Sequence, residues 1–201
     1  GLDEAVGALR ITPTGGQVMV SSRTFNDLPT GTYGQFVPGV NADIEAIEEG
    51  QIGRLIQQSE STSNSSGYRS NLGLINATSQ QIQIQADRYD DDGLLLGTEV
   101  FSLGGYENTQ VNRVFSEVTN GAVNNGVVNV RTTTPGGRFF AYASVVDNRS
   151  GDPVYIPAVV SGAPVIPGEQ DPTLLVHNPQ SIADAYTVAA AADGFGAPLN
   201  T

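Results

Sequence analysis

Residues 81–93 read QIQIQADRYDDDG, and the reading of this stretch decides the fold class. In an extended chain Ile82, Ile84 and Ala86 share one face, while Gln81, Gln83 and Gln85 share the other. Such a strand has one buried and one wet face, as an antiparallel sandwich requires. Asp90-Asp91-Asp92-Gly93 then supplies turn residues, and 94–102 reads as the returning strand.

Outward from this hairpin, the same alternation predicts strands at 8–12, 17–25, 34–38, 51–58, 69–76, 107–112, 126–133, 138–147, 153–159, 172–178 and 184–190. Arg138–Val146 is apolar on both faces, with Phe139, Phe140, Tyr142 and Val145, which predicts a central strand. Val114–Val118 is read as one short helical turn. Ala-rich 183–192 has helical propensity, but its first part is read as strand from its match to 80–89.

An internal repeat organises these strands. Residues 8–40, ALRITPTGGQVMVSSRTFNDLPTGTYGQFVPGV, parallel 127–159, VVNVRTTTPGGRFFAYASVVDNRSGDPVYIPAV. Gly15-Gly16 matches Gly136-Gly137, Asn26 matches Asn148, and Phe36-Val37-Pro38 matches Tyr155-Ile156-Pro157. Downstream, Leu72, Leu74 and Asn76 match Leu174, Val176 and Asn178, and Ile84 and Ala86 match Tyr186 and Val188.

The expected architecture is an all-β, antiparallel, immunoglobulin-like β-sandwich with one complete unit flanked by two complementary half units. Residues 1–42 are the closing half of a unit, 43–160 a complete unit, 161–171 a linker carrying Pro164 and Pro167, and 172–201 the opening half of a further unit. Half a sandwich has too little core and exposes unpaired strand edges. The halves can meet within one chain, meet between neighbouring chains, or belong to an excerpt of a longer array. Head-to-tail meeting of copies is favoured, because it leaves no open edge and propagates into a filament. Leu9, Ile11, Val18, Val20 and Phe25 would then face Leu174, Val176, Tyr186 and Val188 across the subunit interface.

Composition narrows the function. The 201 residues carry 21 acidic and nine basic side chains, a net charge of −12, and every basic residue is arginine. Nucleic acid and anionic membranes reward a basic surface, so neither is an expected partner. Without lysine, no Lys–Asn isopeptide can form. Without cysteine, disulfides and thiolate chemistry are excluded. No apolar run approaches the roughly 18 residues of a membrane-spanning helix. Gly1–Gly7 lacks the basic and apolar regions of a signal peptide, so an exported protein would here be processed or an excerpt.

Three sequons stand at Asn64, Asn76 and Asn148. Asn64 lies in the polar loop ESTSNSSGY, 59–67, and is the foremost candidate for covalent glycan. Asn76 and Asn148 serve equally well as turn formers. Asp90, Asp91 and Asp92, with Asp87, offer oxygens to Ca²⁺, but they lack the spacing of a calcium loop, and a solvated turn explains them better. His177 is the only histidine and has no motif-marked partner, and no nucleophile elbow or phosphate-binding loop occurs. Glu48-Glu49 has nothing to place it in a cleft. No enzyme and no cofactor is expected.

The strings SSRTFN (21–26), GTYGQFVP (31–38), SNLGLIN (70–76) and FFAYASVVDN (139–148) with GDP (151–153) resemble immunoglobulin-like modules of large secreted bacterial proteins. That resemblance implies a sandwich fold and an extracellular or cell-surface location, with no catalytic residues to carry over. The head-to-tail organisation also resembles subunits of donor-strand fibres and glycosylated surface fibrils, although the disulfide common among many pilins is absent. The expected function is a structural filament subunit whose partners are copies of itself. The alternative is an adhesive or carbohydrate-binding spacer module, with Tyr33 and Tyr68 as binding tyrosines.

Overall fold

The computed structural model describes residues 7–161 apart from Gln17 and Thr30, all within the unit Gly1–Ala163. Twelve strands run β1 Ser21–Leu28, β2 Gly31–Pro38, β3 Ile47–Glu48, β4 Ile52–Glu60, β5 Tyr68–Asn76, β6 Ile82–Tyr89, β7 Leu95–Leu103, β8 Asn108–Val111, β9 Val123–Thr132, β10 Arg138–Asp147, β11 Pro153–Pro157 and β12 Val159–Ser161. Every strand pairing is antiparallel, and no described residue is helical.

Among the described residues, ladder β8-β5-β10-β11, with β3 also on β10, and ladder β12-β4-β9-β6-β7 are joined by strand pairing only at Glu60↔Arg69, where β4 passes into β5. Both ladders send side chains into one apolar cluster. Leu72, Leu74, Phe139 and Ala143 come from the first, and Leu55, Val128, Val130, Ile82 and Ile84 from the second. This arrangement is consistent with a β-sandwich. Val114 and Phe115, in the loop after β8, are buried in the same core.

Strand β6 behaves as its alternation predicts: Ile82, Ile84 and Ala86 are buried, while Gln81 and Gln83 are exposed. The same parity carries Arg88 inward, and Glu99 of β7 pairs with it. On the opposite face Asp87 accepts hydrogen bonds from Thr98 Oγ1 (2.7 Å), Gln85 Nε2 (2.8 Å) and Arg131 Nη1 (2.6 Å). Burial alone would raise the Asp87 carboxyl, but these donors outweigh it and hold it below its usual value. Its stabilising contribution is therefore complete above the unfolded value near ~4 and disappears as pH falls through the depressed folded value. Asp87→Asn is expected to cost about 1–2 kcal/mol at pH 7. It should also flatten the decline of urea midpoints between pH 5 and pH 2; an unchanged acid limb would contradict the assignment.

Strand β10 is central, between β5 and β11, over the range its sequence predicts. Its outer face carries Tyr142, whose ring lies over Gly73 so closely that a Cβ there would collide with it. Tyr142 stacks on Tyr155 with ring centroids 5.3 Å apart. Burial raises both phenols, so they stay protonated at neutral pH.

Three expectations are corrected. Residues 8–12 form no strand: a ladder needs a hydrogen-bonding partner, and Arg10 instead lies over the Tyr106 ring at 4.5 Å. Val114–Val118, expected as one short helical turn, is a single hydrogen-bonded turn in which Phe115 O accepts from Val118 N–H and Thr119 N–H, both at 3.0 Å. The single strand expected at 153–159 is two, because the chain leaves β10 at Ala158 and crosses to β4. The first strand of the N-terminal segment spans 21–28 rather than 17–25. Among the linker and half-unit residues 161–201, only Ser161 lies within the described residues.

Candidate functional site

The strands β1 and β2 form a sheet of their own, with two members. Their register runs from Ser21↔Pro38 to Leu28↔Gly31, and Gly39 N–H donates to Val20 O at 2.9 Å just beyond it. Strands β10 and β11 carry the same construction. Tyr142 pairs with Pro157, and Ala158 N–H donates to Ala141 O at 3.0 Å. Adding 121 to the first residue and 119 to the second converts Ser21↔Pro38 into Tyr142↔Pro157, and Val20–Gly39 into Ala141–Ala158. The offset 121 is also that of the Gly-Gly pairs, and 119 that of Pro38 and Pro157. The two hairpins are therefore equivalent in register as well as in sequence.

They differ in their neighbours. Strand β10 has β5 on its second edge, whereas among the described residues no strand pairs with the second edge of β1. An isolated two-stranded hairpin is marginal in water. The residues preceding β1 are exposed accordingly: Val18 is 56 % and Met19 98 % accessible. Leu9, Ile11 and Phe25 are exposed too, and Val20 is half-buried. Leu174, Val176, Tyr186 and Val188, and likewise His177, lie outside the described residues.

The hairpin rests on the sandwich through β2 and β11, and Ser144 Oγ of β10 donates to Gln35 Oε1 of β2 at 3.2 Å. A cleft of about 410 Å³ opens beside this contact, lined by Gly34, Phe36, Pro38, Pro153, Tyr155 and Pro157. The sequence reading named Tyr33 and Tyr68 and missed Tyr155. The aromatic match of Phe36 to Tyr155 was the available signal, because equivalent residues of the two hairpins line one cleft.

The sequons separate by what their amide nitrogens do. Asn76 is 1 % exposed, and its Nδ2 donates to Gln80 O (2.6 Å), Gly104 O (2.8 Å) and Leu103 O (3.2 Å). Its Oδ1 accepts from Thr78 N–H and Oγ1, both at 2.8 Å, which closes a turn. Asn148 Nδ2 donates to Ser63 O and Ser66 O, and its Oδ1 accepts from Arg69, so it pins the 61–67 loop. Asn64 is exposed: its Oδ1 accepts from Arg113 Nη2 at 2.7 Å, and its Nδ2 donates to no described residue. Arg113 also pairs with the buried Glu60, whose carboxyl burial pushes up despite that partner.

Asp90 Oδ1 accepts the backbone N–H of Asp92 (3.1 Å) and Leu94 (2.8 Å), with Gly93 at φ 80° completing the turn. Asp91 and Asp92 are exposed, and Asp87 is engaged with Arg131 on the sheet. Among the described residues no cluster of three His, Cys, Asp or Glu side chains could hold a metal ion, and no helix is long and apolar enough to cross a membrane. No protein-family model, no curated protein and no solved structure matches this chain.

Proposed function

We propose that this chain is a structural subunit of an extracellular filament, assembled head-to-tail by β-strand complementation and carrying glycan on Asn64. The observation that supports this reading is the β1–β2 hairpin, which repeats the register of β10–β11 but lacks, among the described residues, the third strand that β5 supplies to β10. Strand addition satisfies an open edge through main-chain hydrogen bonds and buries the adjoining apolar side chains. The contact is heterologous, since hairpin and donor are different surfaces, and repeated operation gives a fibre unless the rotation closes a ring. Of the three sequons, Asn64 has the free amide nitrogen and exposure that glycan transfer needs.

Electron microscopy of the purified full chain at micromolar concentration is expected to show unbranched polymers that only strong denaturant disperses. A homogeneous population of compact monomers by native mass measurement would overturn the assembly reading. In a glycosylating host, Asn64→Gln should remove the attached mass.

A second reading draws on the cleft beside Phe36 and Tyr155. Apolar and aromatic walls with flanking prolines suit a sugar ring or an extended peptide, and the chain would then be a binding or spacer module. Saturable oligosaccharide binding by a monomer, abolished by Tyr155→Ala, would favour it.

A further inference from the structure

The ladder between β10 and β5 carries a register that the repeat allows to be transferred. There Ala141 pairs with Leu74, Tyr142 with Gly73, Ala143 with Leu72 and Phe139 with Asn76. The hairpin equivalence turns Phe139, Ala141, Tyr142 and Ala143 into Val18, Val20, Ser21 and Ser22. The sequence match turns Leu72, Gly73, Leu74 and Asn76 into Leu174, Leu175, Val176 and Asn178. We propose that residues 172–178 of a second copy of this chain add antiparallel to the free edge of β1, with Val20 opposite Val176, Ser21 opposite Leu175 and Ser22 opposite Leu174. This rests on the assembly reading above and specifies its interface.

Several features fit the assignment. In β5, Leu72 and Leu74 are fully buried opposite Ala143 and Ala141, so the transferred positions call for branched apolar side chains, and Leu174 and Val176 supply them. A slip of one residue would turn both away from the face that carries Val18, Val20 and Ser22. The same register sets Thr173 opposite Arg23 and brings Asp171 diagonally to Arg23 on one face, a favourable cross-strand charge pair. On the assembly reading the donor belongs to another copy: each copy then has one edge filled and one donor offered, so the contact repeats from copy to copy.

The chain has no cysteine, so introduced thiols report without background. Val20→Cys with Val176→Cys, oxidised under native conditions, is expected to give a ladder of covalent multimers on a non-reducing gel. Ser22→Cys with Leu174→Cys should give the same ladder and guards against a single badly packed pair. Val20→Cys with Leu175→Cys, one residue out of register, should cross-link at least tenfold less. Polymers seen by microscopy that link only through the slipped pair, or through none, would overturn the register and leave the assembly reading standing. A monomer closed on itself by either in-register pair would overturn the second copy as donor. Uncross-linked compact monomers, with an unchanged β-sheet spectrum, would overturn both the register and the assembly reading.

Discussion

Phe139→Ala is expected to lower the free energy of unfolding by about 4 kcal/mol, a large share of the ~5–15 kcal/mol typical of a domain. Phe139 is fully buried on the inner face of β10, in the cluster to which both ladders contribute. Its neighbours come from separate strands, so they cannot collapse into the vacated space without shifting a ladder, and a cavity remains. Phe140, one residue along, points to the other face and is only half-buried. Phe140→Ala should therefore cost less than half as much. Urea midpoints at unchanged slope measure both, and equal losses would contradict the assignment of the two faces.

Glu99→Gln is expected to cost about 3 kcal/mol, because it strips a charge from the partner of a buried cation. The Arg88 side chain is 2 % exposed, that of Glu99 34 %, and Arg88 Nε already has no acceptor. With Glu99 neutral, no carboxylate among the described residues pairs with the guanidinium. The double variant Arg88→Met with Glu99→Leu removes both charges and keeps the volume. It should recover most of the loss or exceed the parent, since buried pairs often gain little net energy over apolar packing. Thermal or urea unfolding of the three proteins decides this. A double variant as unstable as Glu99→Gln would show that the pair contributes more than its desolvation costs.

Much of the sandwich was legible because period-two alternation survives wherever one face is dry. Strand β6 and strand β10 follow directly from their residues, and Arg88 could have been placed inward by continuing the parity of Ile82, Ile84 and Ala86. What alternation does not encode is whether a partner strand is present. Residues 8–12 have a strand-like pattern, yet without a partner among the described residues they make no ladder there. The break at Ala158 was hidden because Val154, Ile156 and Ala158 alternate as one strand over 153–159, although β11 and β12 belong to different ladders. That β1 lacks a second neighbour among the described residues was legible only through the repeat. The sequons were legible as motifs but not as chemistry, since only the fold reveals that the Asn76 amide is already committed to three carbonyls.

The crossing at Ala158 governs how the sandwich bears tension. A pull applied through Ser161 reaches β4 through the three residues of β12 and, one peptide earlier, reaches β10 through β11. Tension entering there falls first on the three pairs of β12 with β4, and passes to the five pairs of β11 with β10 only once that short seam has opened. The crossing thus sets an order of release, the shorter seam shielding the longer one.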